Sequence, residues 1–137
     1  MRSAHSPDNA IVALTLFALF TLFTLLSRAA PAAAQTAPRI LIQSSPLAGF
    51  TYHEAPQLFA RLSEGDALDL RREPDNPHDK NAIRVEWRGH LLGYVPRRHN
   101  AALAWTLDRG ERASARVSRL REHPNPRERV EFEVFAD

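Results

Sequence analysis

Short segments in which apolar and polar residues alternate constrain the fold of this chain more than any other feature. The clearest are residues 67–71, 82–87 and 129–135, where an apolar side chain occupies every second position. A period of two places the apolar side chains on one face of a β-strand and the polar ones on the other. The pair Arg88-Gly89 predicts a tight turn that joins two such strands in a hairpin. The chain therefore has to build a sheet with one buried face.

The other predicted elements complete the order β-α-β-β-β-α-β-β. Further strands are predicted at residues 48–53, 91–95 and 112–121, and helices at residues 54–62 and 98–109, where leucines four residues apart define a buried helical face. Short strands, tight turns and two short helices are typical of small barrels. We expect a mainly β domain with two short helices (α+β), folded as a small OB-like or SH3-like modified β-barrel.

The first 34 residues have the pattern of an export signal. Arg2 precedes an apolar run from Ala10 to Leu26, and a stretch of small residues leads to Ala34. A positive start, an apolar middle and an Ala-x-Ala site define a secretory signal peptide. We expect a signal peptide at residues 1–34 that is cleaved after Ala34, a linker at residues 35–45, and a secreted or periplasmic domain at residues 46–137.

Retention of the apolar run as an N-terminal membrane anchor is the alternative to cleavage. The run has 17 residues. As a helix it would be about 25 Å long, which is short of the roughly 30 Å hydrocarbon core of a bilayer. No other segment of the sequence predicts a membrane span, so none is expected after cleavage.

Composition and motifs exclude several classes of function. The chain has no cysteine, which excludes disulfides, thiolate nucleophiles and Cys-ligated metals. Its formal net charge is only +2, so a nucleic-acid site has to be a local patch. No nucleophile elbow, P-loop or dinucleotide loop is found, and we expect no enzyme. The histidines lack metal-ligand spacing and the acidic loop lacks the calcium pattern, so we expect no cofactor or metal.

The segment from Arg72 to Ile83 is the most distinctive part of the sequence. Two prolines and four Asp or Asn residues fall within residues 73–81, which predicts a preorganised loop. Asp79 can accept a hydrogen bond from a sugar hydroxyl, Lys80 can contact a phosphate and His78 can stack on a base. The alternative is that the Asp and Asn side chains only hold the turn by bonding to its backbone.

Residues 93–98, Gly-Tyr-Val-Pro-Arg-Arg, lead from a predicted strand into a predicted helix. Tyr94 offers a stacking face, and Arg97 with the free N–H groups of the helix start can hold a phosphate. The alternative is ordinary packing of Tyr94 and a solvated arginine pair. The C-terminal arginines interleave with glutamates, which is typical of a mixed, solvated face: Arg112, Arg116, Arg119, Arg121, Arg127 and Arg129.

Three stretches together resemble the HIRAN domain family. They are residues 47–53 (LAGFTYH), residues 65–83 and residues 92–97 (LGYVPR), and the resemblance extends over about residues 46–136. The Arg-Glu-Pro loop with its Asn-Pro-x-Asp-x-Asn-Ala-Ile continuation is its most specific part. The resemblance implies a modified OB-like barrel. In eukaryotes such domains are fused to remodelling-type ATPases at stalled replication forks, where they capture the unpaired 3′ end of single-stranded DNA.

The resemblance also implies roles for individual residues in base and hydroxyl recognition. Tyr52 matches a tyrosine that stacks on the terminal bases. His53 and His78 stand at positions where aromatic residues are also found. Asp79 matches the aspartate that recognises the 3′-hydroxyl.

The remaining correspondences concern the phosphates. Tyr94 occupies a position near the phosphate backbone and Arg97 matches a basic phosphate contact. Thr51 stands where the fork-acting members have an arginine, which weakens the electrostatic half of the site. The predicted nucleic-acid-binding set is Tyr52, His53, His78, Asp79, Lys80, Tyr94 and Arg97.

These observations predict an exported module that binds single-stranded DNA at its 3′ end without catalysis. Hydrolase or ATPase activity of the family would belong to fused domains outside this sequence. Three alternatives stay open: a protein- or glycan-interaction module that uses the same barrel face and an envelope partner, a metal-dependent nuclease that uses Asp75 and Asp79, and a cytoplasmic protein whose translation starts downstream of residue 1.

Overall fold

Six antiparallel strands form one sheet within residues 38–137, which are the residues that the computed structural model describes. The predicted signal peptide lies outside them. The strands are β1 (Ile40–Pro46), β2 (Ala67–Arg72), β3 (Ile83–Trp87), β4 (His90–Tyr94), β5 (Ala113–Leu120) and β6 (Val130–Ala136). The α-helices are α1 (Ala55–Leu58) and α2 (Arg97–Asp108), and 3-10 turns cover Phe50–Tyr52, Phe59–Arg61 and Pro126–Glu128. This is the predicted order β-α-β-β-β-α-β-β.

The sheet curls so that the residue Ala48, which follows β1, approaches β4 at the other edge. The strand order is β1-β6-β5-β2-β3-β4, and Ala48, just after β1, pairs with Tyr94 of β4 through two backbone hydrogen bonds of 2.9 Å. Gly93 permits this approach, since a Cβ at that position would lie 2.2 Å from the Ala48 carbonyl oxygen. The sheet is thus open but barrel-like, and the prediction of a small α+β barrel is confirmed.

The core follows the alternation read from the sequence. Ile83, Val85 and Trp87 of β3 are buried, as are Val130, Phe132 and Val134 of β6. Burial of each such side chain contributes roughly 1.5–3 kcal/mol.

One polar position of β3 departs from the prediction. Glu86, predicted to face outward, is buried between Arg71 at 2.9 Å and Arg84 at 3.0 Å. The two guanidinium groups compensate the cost of removing its charge from water.

The start of the domain was predicted wrongly. Residues 40–45, predicted as linker, belong to β1, and residues 48–53, predicted as a strand, form a turn and a 3-10 helix. The three residues Ile40 to Ile42 are exposed and do not alternate, because among the strands of residues 38–137 β1 is an edge strand that pairs with β6 alone. Gly49 has a φ of +78°, which an extended strand does not allow.

The helices lie where the sequence placed them. Residues 54–62 contain α1 followed by a 3-10 turn, and α2 begins and ends one residue earlier than predicted. Leu103 of α2 is buried in the core, and Leu107 packs against it from a partly buried position. Within residues 38–137 no helix has the length and apolar character needed to cross a bilayer.

Candidate nucleic-acid interface

A groove of about 600 Å³ opens between the loop of residues 73–81, the start of α2 and the turn after β1. We name it the end groove. Five of the seven residues predicted to bind nucleic acid line it: Tyr52, His78, Asp79, Tyr94 and Arg97. Its other lining residues are Ala48, Gly49, Asn76, Ala82, Val95 and Arg127.

Asn76 organises the loop of residues 73–81. Its Oδ1 accepts hydrogen bonds from the backbone N–H groups of His78 (2.9 Å) and Asp79 (3.1 Å), and its Nδ2 donates to Glu73 Oε2 at 2.7 Å. The Asx hydrogen bonding predicted as an alternative role for this loop is therefore present. It also orients the side chains of His78 and Asp79, both of which line the groove.

Asp79 is a fixed hydrogen-bond acceptor in the groove. Its Oδ1 accepts from the backbone N–H of Asn81 at 2.9 Å, and its Oδ2 accepts from Nδ2 of Asn100 at 2.7 Å. Asn100 is fully buried in α2, and the Asp79 side chain is 19% exposed. Each carboxylate oxygen can accept two hydrogen bonds, so the structure holds Asp79 in place and still leaves acceptor capacity.

The aromatic rings differ in their surroundings. Tyr52 is 85% exposed, although the 3-10 turn that carries it is held by a bond from its N–H to the Gly49 carbonyl at 3.0 Å. His53 does not line the groove. Its ring packs against Tyr94, with the ring centroids 5.3 Å apart and the planes at 60°, so His53 supports a groove residue.

Tyr94 is anchored to the loop by Glu73. The Tyr94 hydroxyl donates a hydrogen bond to Glu73 Oε2 at 2.9 Å. Hydrogen bonds from Asn76 and then Tyr94 hold the pKa of Glu73 below its usual value. Burial, followed by the hydrogen bond to Glu73, raises the pKa of Tyr94. At neutral pH the pair is thus an ionised carboxylate and a neutral phenol, which is the arrangement that keeps the hydrogen bond.

Arg97 is the predicted cation that reaches the groove. It donates a hydrogen bond to the His78 carbonyl, its Nε lies 3.9 Å from Asp79 Oδ2, and its side chain is 70% exposed. It stands at the first position of α2, whose N-cap, Pro96, offers no side-chain hydrogen bond. The guanidinium is therefore exposed at the helix start, where the predicted phosphate contact would lie.

Lys80 is exposed and does not line the groove. Its carbonyl accepts a hydrogen bond of 3.1 Å from Arg72. Arg72 also forms a bidentate pair with Asp108 at the end of α2, at 2.8 and 3.0 Å. This pair raises the pKa of Arg72 and lowers the pKa of Asp108, and it fastens the loop to the helix.

Three residues of the site are not identified by the sequence as site residues. Asn76 and Asn100 position Asp79, and Arg127 brings a second guanidinium to the groove. The Asx pattern of the loop is a signal that points to Asn76. The sequence assigns Arg127 to a solvated face, and no local pattern identifies it or Asn100, because the fold brings them to the loop from distant parts of the sequence.

The chemistry of the groove is that of a binding site. In the described part of the chain, Asp79 is the one acidic residue that lines it, and Asp75, the second aspartate of the nuclease alternative, is exposed and does not line it. Among residues 38–137 no three His, Asp or Glu side chains cluster as metal ligands. The groove combines rings that can stack on bases, two guanidinium groups that can hold phosphates and one carboxylate that can accept a hydrogen bond from a hydroxyl group.

Comparison with curated proteins gives short matches to much longer chains. The chain is 42% identical over 48 residues to the helicase-like transcription factor of Oryctolagus cuniculus and 37% identical over 67 residues to the Fanconi-associated nuclease 1 homolog of Oryza sativa subsp. japonica. These matches cover 34% and 46% of this chain but only 5% and 6% of those relatives.

Two solved structures are similar over most of the domain. A protein from Lactobacillus plantarum matches with a TM-score of 0.63 and 26% identity, covering 72% of this chain and 95% of that one. The HIRAN domain of human HLTF matches with a TM-score of 0.51 and 21% identity, covering 73% of this chain and 80% of that one. At 21% identity, the match to the human HLTF domain shows a similar fold and no more than that.

The family comparison covers the whole described domain. The sequence profile of the HIRAN domain matches residues 40–137, so it starts at β1 and includes both helices. HIRAN domains are generally DNA-binding modules and are not catalytic themselves. Since the match spans well over half of the sequence, this chain belongs to the HIRAN domain family.

Proposed function

We propose that this protein binds single-stranded DNA at a free 3′ end through the end groove and does so without catalysis. The observation that carries the proposal is the placement of Asp79. It is a half-buried carboxylate, held from both sides by Asn81 and Asn100, in a groove that also presents the Tyr52 ring and the Arg97 guanidinium.

Each part of a 3′-terminal nucleotide has a counterpart in the groove. Stacking of a base on an exposed ring such as Tyr52 is worth about 1–3 kcal/mol. Arg97 and Arg127 supply charge for the phosphates. The terminal hydroxyl would donate to Asp79, and a hydrogen bond to a charged group contributes about 1.5–3 kcal/mol.

A 3′-phosphate would fit less well. It removes the hydroxyl donor and places a second negative charge beside the Asp79 carboxylate, which is repulsive. We expect the protein to prefer a free 3′-hydroxyl over a 3′-phosphate on the same oligonucleotide by at least about tenfold in Kd. Fluorescence anisotropy with a short single-stranded DNA in both forms measures this preference.

Asp79→Asn tests the origin of this preference, because it removes the charge and keeps the shape of the side chain. The variant should lose most of the preference for the free 3′-hydroxyl. Asp75→Asn is the matched control, since Asp75 lies in the same loop but outside the groove. Equal affinity of the wild-type protein for both oligonucleotides would contradict end recognition. DNA binding that is weak and insensitive to salt would instead favour a protein- or glycan-interaction module, because phosphate contacts produce a salt dependence.

We further propose that the domain acts outside the cytoplasm, as a secreted or periplasmic protein. The support is the three-part pattern of residues 1–34. Fusion of residues 1–45 to alkaline phosphatase, which is active only after export, should give an active enzyme. An inactive fusion would contradict export, and normal processing of a variant lacking Ala32 and Ala34 would contradict the cleavage site.

A further inference from the structure

A second groove of about 640 Å³ adjoins the end groove. It runs between the turn after β1, the first residues of α2 and the segment between β5 and β6, and we name it the side groove. The two grooves share Ala48, Gly49, Arg97 and Arg127. A ligand that leaves the end groove past Arg97 and Arg127 therefore enters the side groove directly.

The acidic residues of the side groove are already paired. Arg121 Nη2 lies 2.9 Å from Glu131 Oε1 and 3.8 Å from Glu128 Oε2. His123 also lies 3.5 Å from Glu128. Arg121 therefore lies beside both glutamates, which share the charge of its guanidinium group.

Three arginines of the side groove are left with little or no compensation. Arg98 and Arg127 are exposed and form no ion pair with the carboxylates of residues 38–137. Arg97 lies 3.9 Å from Asp79 and is mostly exposed. The groove therefore has an excess of positive charge along a line that starts at the end groove, although the net charge of the whole chain is small.

We propose that the side groove holds the phosphate backbone of the nucleotides that precede the 3′-terminal ones. This inference rests on the proposed function and extends it. The protein would bind the 3′ end of the DNA together with the single strand that precedes that end. A strand whose 3′-hydroxyl reaches Asp79 would pass Arg97 and Arg127 and place its next phosphates at Arg98. Arginine suits such contacts because its planar group donates two parallel hydrogen bonds to a phosphate.

A length series tests the proposal. The probes are a trinucleotide and an octanucleotide of thymidine, so that each offers one free 3′-hydroxyl and the two differ only in length. The wild-type protein should bind the octanucleotide at least about tenfold more tightly. Arg98→Gln should weaken octanucleotide binding several-fold and reduce the magnitude of its slope of log affinity against log salt by about 0.7, as expected for one lost phosphate contact with a single strand.

The matched control is Arg119→Gln. Arg119 is an exposed arginine of β5 that lines neither groove and forms no ion pair within residues 38–137. The Arg119→Gln substitution removes the same charge as Arg98→Gln but at a position outside both grooves. It should therefore leave octanucleotide affinity within about twofold of the wild type. Trinucleotide affinity should be the same in the wild-type protein and in both variants.

Failure of the two proposals can be distinguished. Equal binding of both probes, or equal effects of Arg98→Gln and Arg119→Gln, would overturn the side-groove proposal and leave end recognition intact. Absence of binding to both probes would overturn the proposed function and this inference with it.

Discussion

At the scale of single residues, the site uses one side chain for two purposes. Asp79 closes the turn of the loop through Oδ1, which accepts the Asn81 N–H, and turns Oδ2 toward Asn100 and the groove. The sequence left open whether the Asp and Asn residues of this loop hold its turn or bind a ligand. The bonds that hold the turn are present. A carboxylate can accept more hydrogen bonds than these, so the same bonds also fix the position of the acceptor that the proposed ligand would use.

Tyr52 permits a test at the same scale. Its side chain is 85% exposed, so Tyr52→Ala should change the free energy of unfolding by no more than about 0.5 kcal/mol. It should weaken binding of single-stranded DNA by about 1–3 kcal/mol, because the stacking surface is lost, whereas Tyr52→Phe should keep most of the affinity. Anisotropy titration and urea unfolding measure the two quantities.

Trp105→Ala is the control for Tyr52. Trp105 is another exposed aromatic residue, at 60%, but it lies on α2 outside the end groove. DNA affinity should survive its removal. An equal loss in the two alanine variants would mean that the rings act through general surface attraction and not through the groove.

At the scale of elements, the site depends on how the two ends of the sheet meet. The Ala48–Tyr94 pairing joins the turn after β1 to β4, and this turn carries Gly49 and Tyr52 into the groove. The sequence predicted β4 and the loop before β3, because strand alternation and the prolines of a loop are signals carried by neighbouring residues. It misplaced β1, because an edge strand with exposed residues has no alternation to detect.

Gly93→Ala should disrupt this closure. The added Cβ would lie 2.2 Å from the Ala48 carbonyl oxygen, which is backbone and cannot rotate away. Overpacking of this kind costs about 1–3 kcal/mol or more, and we expect a loss of at least about 3 kcal/mol in the free energy of unfolding measured with urea. DNA affinity should fall as well, since the turn that carries Tyr52 would no longer be held against β4.

Gly65→Ala is the control that separates the cost of a positive φ from the cost of a steric clash. At Gly65 the φ is +92°, but an added Cβ would meet no atom within 4 Å. Only the left-handed backbone penalty of roughly 1–2 kcal/mol is expected there. If the Gly93→Ala variant were as stable as the Gly65→Ala variant, the close approach of Ala48 to Gly93 would not be needed for the pairing of Ala48 with Tyr94.

At the scale of the whole molecule, the loop of residues 73–81 and the end of β2 before it are tied to two elements, β4 and α2. Glu73 bonds to Tyr94 of β4, Asp79 to Asn100 of α2, and Arg72 to Asp108 at the end of α2. The acceptor in each contact is a carboxylate. The groove therefore depends on the joint assembly of the sheet, the helix and the loop.

Acid should loosen this assembly. The folded-state pKa of Glu73 lies below its unfolded value of about 4.5, because Asn76 and Tyr94 donate hydrogen bonds to the charged form. Its stabilising contribution is therefore complete above that pH and is lost as the pH falls through the folded-state pKa. Between pH 7 and pH 3 the wild-type protein should lose more unfolding free energy than Glu73→Gln, as measured by urea unfolding.

Asp75→Asn is the comparison for this pH series. Asp75 is exposed and its carboxylate has no hydrogen-bond partner among residues 38–137. Its removal should leave the pH dependence of the wild-type protein unchanged. If Glu73→Gln and the wild-type protein lost the same free energy, the Glu73–Tyr94 bond would have no part in acid stability.

The amino-acid sequence by itself determined the order of the elements from α1 to β6, the alternating core of β3 and β6 and the loop that carries His78 and Asp79. These depend on side-chain periodicity and turn chemistry, which act between near neighbours. Only the tertiary structure decided that Glu86 is buried, that Asn100 holds Asp79, and that Arg97, Arg98 and Arg127 border one continuous path. Those relations join residues far apart in the chain, and no local pattern encodes them, because they arise from the closure of the sheet and the packing of α2 upon it.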